Sequence, residues 1–278
     1  MRFTPLSYCL TCLHLILVGR YSRRAREMAK TEINNAAVVI AGGAKNLGGL
    51  VARDLAQTGA KIAIHFHSDE TLADAEQTKQ AIEQFGSEAI IVQGDLTKSS
   101  DVERLFAEAK TAFGKVDIAI NTVGKVLRKP IIDTSNEELD AMIDANTKSA
   151  YLFLKEAGKE ISDNGKIVSI VTSLLGAFTD GYSTYAGSKA AVEHFNRAAA
   201  KEFADRGISV TAVAPGPMDT PFFYGEETPE RVEYHKSQAI GGQLTKIEDI
   251  APIIRFLVTD GWWITGQTIF ANGGYTTR

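Results

Sequence analysis

The sequence predicts an α/β fold of the doubly wound kind: a mostly parallel, seven-stranded sheet with helices on both faces. Three observations predict it. Seven short, almost uniformly apolar runs recur between Ala36 and Phe270, and such runs suit strands buried on both faces of a parallel sheet. Helical segments separate them, so strand and helix alternate, and right-handed crossovers then wind the chain into one open sheet. A glycine-rich turn directly follows the first run, between strand and helix. Bulk composition agrees. The 278 residues are 44% hydrophobic and 23% charged, which is ordinary globular usage and excludes a disordered or collagen-like chain. A net charge of -4 and a pI near 5.8 argue against a nucleic-acid binder, which needs a basic face.

The first segment does not match the rest. Residues 1–27 hold both cysteines, Cys9 and Cys12, and five arginines against one acid, so the remainder carries -8. Tyr8 to Val18 is mostly apolar but falls short of the ~20 residues that a membrane helix needs. A secretory signal is disfavoured, because the positive cluster follows the apolar run and no small-x-small site comes after it. Such a cluster would be retained in the cytoplasm. Cys9-Leu-Thr-Cys12 has redox spacing without the strand–helix context of a redox motif, and one local pair is no disulfide framework. Met28 stands directly before the first clear strand. The expectation is an N-terminal extension over 1–33, outside the fold, and a single cytoplasmic domain over 34–278. A weak membrane anchor is the competing reading of the leader.

The strands are expected at Ala36–Ile40, Lys61–Phe66, Ala89–Gln93, Val116–Asn121, Lys166–Val171, Ser209–Ala214 and Thr268–Phe270. Three helices carry capping-box start signals: Ser100-x-x-Glu103, Ser135-x-x-Glu138 and Thr245-x-x-Glu248. Leu139, Ile143, Tyr151 and Leu154 give the long helix after Ser135 an apolar stripe. No internal repeat or Pro/Ser-rich linker divides the chain.

The first turn, Ala41-Gly42-Gly43-Ala44-Lys45-Asn46-Leu47-Gly48-Gly49, suits a phosphate. Glycine lets backbone approach a pyrophosphate, and a helix N-terminus offers free N–H groups and a positive dipole end. The spacing is not G-x-G-x-x-G; Asn46 stands where a further glycine could be, and asparagine tolerates left-handed backbone. A plain tight turn is the alternative. The second strand ends His65-Phe66-His67-Ser68 without an acid to meet a ribose 2′-hydroxyl. Lys45, His67 and Ser68 would instead suit a 2′-phosphate, which favours NADP(H) over NAD(H). His65 and His67 otherwise read as strand-end histidines; with the other histidines scattered, no metal site is expected.

Tyr185-Ala-Gly-Ser-Lys189 is the strongest chemical signal. Residues four apart share a helix face, and a nearby ammonium would lower the phenol pKa from ~10 towards a useful range. Just upstream, Val171-Thr172-Ser173-Leu174-Leu175-Gly176 closes the fifth strand, where parallel sheets place ligands.

These residues resemble the short-chain dehydrogenase/reductase family, compact single-domain type, over Ala36 to Tyr275. Ala41-Gly42-x-x-x-Asn46-x-Gly48 resembles the family's cofactor turn, with Ala and Asn replacing the usual Thr and Gly. Asp95-Leu96 resembles its adenine-contacting pair, and Asn121-Thr-Val-Gly124 its N-N-A-G segment with the first Asn and the Gly kept. Pro215-Gly216-x-x-x-Thr220 resembles its nicotinamide-side motif, and Asn272-Gly-Gly274 its closing D-G-G. The resemblance implies a Rossmann-type domain. It also implies a Ser-Tyr-Lys-Asn mechanism, in which Tyr185 exchanges a proton with the substrate oxygen and Lys189 lowers its pKa and holds the nicotinamide ribose. Ser173 would hydrogen-bond that oxygen, Asn146 would anchor a relay water, and the cofactor would carry the hydride. The family usually places its hydroxyl thirteen residues before the tyrosine, which is Thr172. Ser173 is chosen because Ser-x-x-Gly matches the local pattern.

Pro221-Phe-Phe-Tyr224 through Gly242 occupies the place of a substrate lid. Phe222, Phe223, Tyr224, Tyr234 and His235 could line a pocket with Leu174 and Tyr182, or only pack the lid. Glu226, Glu227 and Glu230 read as a solvated face, and Lys125, Arg128 and Lys129 as a basic surface loop. The expected function is hydride transfer between NADP(H) and a carbonyl or secondary alcohol, with an oxoacyl thioester, a sugar, a steroid-like ketone and a small carbonyl all open as substrate. The alternative is a non-catalytic NADP-binding sensor on the same fold. The resemblance also implies a homotetramer or dimer, joined through the helix around Asn146–Lys159 and the helix after Tyr185.

Overall fold

The computed structural model of the chain describes residues 32–277. The leader reading, Cys9 and Cys12 included, falls outside the described residues. The strands are β1 (Ala37–Ala41), β2 (Lys61–Phe66), β3 (Ala89–Gln93), β4 (Ile118–Asn121), β5 (Lys166–Ile170), β6 (Ser209–Pro215) and β7 (Thr268–Ala271). All pair in parallel in the order β3-β2-β1-β4-β5-β6-β7. The seven expected strands are present, with ends differing by one or two residues.

The helices are α1 (Asn46–Ala56), α2 (Leu72–Gln84), α3 (Ser99–Phe113), α4 (Asn136–Met142), α5 (Ser149–Glu160), α6 (Ser183–Glu202), α7 (Pro221–Tyr224), α8 (Pro229–Ser237) and α9 (Ile247–Val258). A π-helical segment, Ile143–Lys148, joins α4 to α5. Strand side chains alternate between two cores. Val38, Ile40, Ile62, Ile64 and Ile120 pack with Leu47, Val51 and Leu55 of α1 and Ile250, Ile254 and Leu257 of α9. Val39, Ala63, Ala119 and Ile167 pack on the opposite face with Leu105 and Phe106 of α3, Phe153 and Ala157 of α5, and Ala199 of α6. Apolar residues on both faces explain the uniformly apolar strands. Ile33 also joins the core, so packing begins just ahead of residue 34.

Strand order reverses between β1 and β4, and the crevice at their carboxyl ends is where such sheets bind ligands. Register places Ala41 beside Asn121 and Asn121 beside Ser169. The glycine turn, the segment after β4 and the end of β5 thus converge on one edge.

Local signals succeed unevenly. The Ser135 box forms: Glu138 N–H donates to Ser135 Oγ at 3.2 Å, and Ser135 N–H donates to Glu138 Oε2 at 2.8 Å. The Ser100 box does not, because α3 starts two residues earlier, with Lys98 before its first turn, and Ser99 Oγ donates to Glu103 Oε1. The Thr245 box does not either. Thr245 is held in a bridge to Met218, and Lys246 N–H donates to Asp249 Oδ2 at 2.9 Å. Of the expected stripe only Leu154 is buried; Leu139, Ile143 and Tyr151 face outward at 43%, 40% and 51% exposure. The intervening π turn changes the helical phase, so a constant 3.6-residue period does not carry through.

Candidate active site

The glycine turn is built for close approach. Gly42 has φ +73° and Asn46 φ +49°. A Cβ on Gly48 would lie 2.2 Å from the Gly42 carbonyl oxygen. No side chain caps the N-terminus of α1, so its first N–H groups are left to a ligand. An anion of pyrophosphate size fits this cradle. Leu47 is buried in the core, so only its backbone faces the turn. Lys45 Nζ lies 2.8 Å from Asp74 Oδ2, a half-exposed pair, and surface pairs of this kind are weak enough to yield to a phosphate. His67 is exposed and Ser68 half-buried at the end of β2.

Sequence reasoning left His65 without a role. The structure gives it one. Gly42 N–H donates to His65 Nδ1 at 3.2 Å, and His65 Nε2–H donates to the Gly94 carbonyl at 2.9 Å. Those partners fix the neutral tautomer. Burial brings its pKa down to about 4. His65 therefore pins the glycine turn to the ends of β2 and β3.

The other residues expected on the cofactor side have these surroundings. Asp95 is tied into its own turn by Thr97, whose N–H and hydroxyl donate to Asp95 Oδ1 at 3.0 and 2.7 Å. Leu96 is a core residue, so its side chain is withdrawn from any ligand. Asn121 Oδ1 accepts from Val123 N–H at 2.9 Å. A Cβ on Gly124 would meet Lys189 Nζ at 3.0 Å and Asn146 Oδ1 at 3.2 Å, so Gly124 lies in tight contact with both. Pro215 ends β6. Gly216 packs against Thr245 and Asn272, and the buried Thr220 precedes α7.

Tyr185 and Lys189 share a face of α6. Lys189 is 4% exposed and donates to the carbonyls of Val123 at 3.1 Å and Ile170 at 3.0 Å. Burial lowers its pKa to about 8, so it keeps its proton at pH 7. Burial pushes the Tyr185 phenol up to about 12, and a hydrogen bond from Thr172 pulls the other way. The net direction is opposite to that expected from the Tyr–Lys spacing, because desolvation of the phenolate outweighs the stabilising contacts. Asn146, in the π segment, donates to the Lys125 carbonyl at 2.8 Å and to Ser188 Oγ at 3.0 Å, and accepts from Lys125 N–H at 2.8 Å.

The structure gives Ser173 and Thr172 different partners. Ser173 Oγ donates to the Ala214 carbonyl and accepts from Asn272 Nδ2, each at 3.0 Å, and so holds β5 to β6 and the closing segment. Thr172 Oγ1 accepts from Leu174 N–H at 3.2 Å and turns its proton to Tyr185.

A cavity of about 80 Å³ opens beside Tyr185, walled by Thr172, Leu174, Tyr182, Phe222, Phe223 and His235 among others. Tyr224 and Tyr234 stand outside it; Tyr224 donates to Asp219 Oδ1 at 2.7 Å. Two expectations fail here. Glu227 is no solvated residue: its side chain is 0% exposed and ion-paired with Arg128, itself only 10% exposed. Lys129 pairs with Glu138 at 2.8 Å. Lys129 and Glu138 are nine residues apart, whereas the Arg128–Glu227 pairing is across 99 residues and has no local signal. Among the described residues no acid, histidine or cysteine cluster could hold a metal, and no helix is long and apolar enough to cross a membrane.

The family model described as enoyl-(acyl carrier protein) reductase matches residues 42–276. The chain is 36% identical to an NADPH-dependent aldehyde reductase-like protein, chloroplastic, of Arabidopsis thaliana, covering 85% of this chain and 93% of that one. It is 34% identical to a short-chain type dehydrogenase/reductase of Picea abies, over 85% of this chain and 90% of that one. A solved structure of a putative dehydrogenase from Burkholderia cenocepacia with bound NADP superposes with a TM-score of 0.89 at 58% identity. That match covers 92% of this chain and 99% of the other. The family model spans most of the chain and both curated relatives exceed 30% identity over 85% of it, so the chain belongs to the short-chain dehydrogenase/reductase family.

Proposed function

We propose that this protein is an NADPH-dependent reductase of aldehydes and ketones in which Tyr185 donates the proton. The observation that carries this reading is the state of Tyr185. Its phenol lies at the wall of a largely apolar cavity with a pKa near 12, and therefore holds a proton at neutral pH. A protonated phenol is the form that a carbonyl undergoing reduction requires. Thr172, whose hydroxyl bonds the Tyr185 phenol, stands in the place first assigned to Ser173 and would turn its proton to the substrate oxygen once Tyr185 donates there. Two such donors would favour an oxygen that gains negative charge, as a carbonyl oxygen does.

NADPH supplies the hydride when bound. Gly42, Asn46, Leu47 and Gly48 would hold its pyrophosphate through backbone N–H groups, and Lys45, His67 and Ser68 its 2′-phosphate. Asp95 and the Leu96 backbone would border the adenine. Asn121, Gly124, Pro215, Gly216 and Thr220 would border the nicotinamide side, and Lys189 would hold the ribose and steady the charge near Tyr185. Asn146 acts here as a positioning residue: both its amide protons are engaged, and its clamp on Lys125 fixes the segment packed on Lys189. The Arabidopsis and Burkholderia relatives, one named for NADPH and the other holding NADP, support the cofactor choice. Outward-facing Leu139, Ile143 and Tyr151 support assembly between copies.

The test is NADPH oxidation against a panel of aldehydes and ketones, with Tyr185→Phe alongside. Wild type should turn over at least one carbonyl, with NADPH preferred over NADH. The variant should lose roughly 10²–10⁴ in kcat and keep its NADPH affinity. Tight NADPH binding with no turnover on any carbonyl would overturn the reading in favour of a non-catalytic sensor.

A further inference from the structure

We propose that Glu227 is a positioning residue that latches the substrate lid, residues 221–242, over Tyr185. The proposal rests on the function above, and the cluster around Glu227 carries it. The Glu227 carboxylate is fully buried and accepts from three separate parts of the chain. Arg128, on the segment after β4, gives Nη1 to Oε2. Tyr182, at the start of α6, donates to Oε1 at 2.5 Å. His235, on the lid helix α8, lies 3.2 Å from Oε1 through Nε2, while Tyr275 OH donates to its Nδ1 at 3.0 Å. Around this centre Arg128 N–H donates to Glu226 Oε2 at 2.7 Å, and the guanidinium reaches Asp180 at 3.3 Å and stacks over Tyr182 at 5.3 Å.

Two features make this cluster a latch rather than general packing. First, apart from this cluster the lid is tied down by polar contacts at its surface, the Arg231–Asp180 pair at 3.3 Å and the Ile240 N–H bond to the Gly273 carbonyl at 2.8 Å, and has little buried apolar packing. Of its hydrophobic residues only Val232 is buried, at 8%, whereas Phe222, Tyr224, Tyr234 and Ile240 are exposed. A segment with few buried apolar contacts opens readily. Second, the cluster does not tolerate partial release. A buried carboxylate and a buried guanidinium each demand the other, and a half-paired buried network is worse than none. When the lid lifts, water solvates both charges. The lid thus has two favourable arrangements, closed and paired or open and hydrated, and few between.

Closure builds the site. Glu227 fixes the Tyr182 ring 6.1 Å from the Tyr185 ring, and the lid brings the Phe222 ring to 6.4 Å from Tyr185 on another side. These rings wall the cavity. The polar groups of this wall are spent on one another, so an arriving carbonyl compound meets aromatic surface there and hydroxyl donors only at Thr172 and Tyr185.

Glu227→Gln, Arg128→Gln and the double variant test this. Each single variant should raise KM for the carbonyl at least tenfold, leave kcat within threefold and leave the NADPH Kd within twofold. The double variant, in which two neutral amides can pair, should be no worse than either single one. Carbonyl KM within twofold of wild type in both singles would overturn the proposal. So would an NADPH Kd that weakens in step with KM, or single effects that multiply in the double variant. Should the charge variants fail to fold, Tyr182→Phe removes one hydroxyl only; a three- to tenfold rise in KM is expected, and an unchanged KM overturns the latch. Limited proteolysis separates this proposal from the proposed activity. Cleavage within residues 221–242 should be faster in Glu227→Gln than in wild type whether or not any carbonyl is reduced, and equal rates would refute the latch alone.

Discussion

Acidification should unfasten the glycine turn through His65. The imidazole is 2% exposed, accepts the Gly42 N–H on Nδ1 and donates to the Gly94 carbonyl from Nε2. A second proton must go onto Nδ1, directly against the Gly42 donor, in a place that cannot hydrate the charge. The folded pKa accordingly drops from 6.5 to about 4. The unfolded chain takes up this proton near pH 6.5 and the folded chain only near pH 4. In that window the unfolded state binds more protons, so stability falls as pH falls. At about 1.4 kcal/mol per pKa unit the full effect is roughly 3 kcal/mol, of which about 2 kcal/mol lies between pH 7 and pH 4.5 and about half of that above pH 5.5. Urea unfolding at several pH values and one fixed protein concentration measures this, with His65→Asn as the reference. The variant keeps an acceptor for Gly42 and cannot titrate in this range. It should be less stable at pH 7 and lose about 2 kcal/mol less than wild type on going to pH 4.5. Parallel stability-versus-pH curves for the two proteins would refute the reasoning.

Two substitutions separate catalysis from scaffolding. Thr172→Ala should lower kcat roughly 10²–10³-fold with NADPH affinity intact, as for loss of one donor to a developing oxyanion. Ser173→Ala should leave kcat within tenfold but lose about 1–3 kcal/mol of stability, because it strands the Asn272 amide and the Ala214 carbonyl. Kinetics that rank the two the other way would restore Ser173 as the hydroxyl donor. Gly48→Ala places a Cβ 2.2 Å from the Gly42 carbonyl, so the turn must shift; NADPH Kd by fluorescence titration should weaken more than tenfold, and an unchanged Kd would show that the turn does not cradle the cofactor.

Much of the fold was legible because its determinants are local. A parallel strand buried on both faces needs an apolar run, and each of the seven was visible as one. Tyr185 and Lys189 fall on one helix face because residues four apart always do, and the left-handed backbone at Gly42 and Asn46 follows from residues that accept it. Helix starts were less secure. Ser100 and Thr245 carry the right spacing but sit beside the true N-termini, where neighbouring residues take the first-turn contacts.

The sequence by itself therefore determined the sheet, the glycine turn after its first strand and the placing of Tyr185 and Lys189 on one helix face. Only the tertiary structure decided which partner each polar side chain found. Thr172 and Ser173 are adjacent, yet it is Ser173 that bonds Ala214 and Asn272, 41 and 99 residues away. His65 holds the turn because three strand ends meet around it. Glu227 reads as a surface acid until Arg128, Tyr182 and His235 close over it. Backbone geometry and hydrophobic period act over a few residues, whereas the pairing of a buried polar group depends on what the finished fold brings within about 3 Å of it.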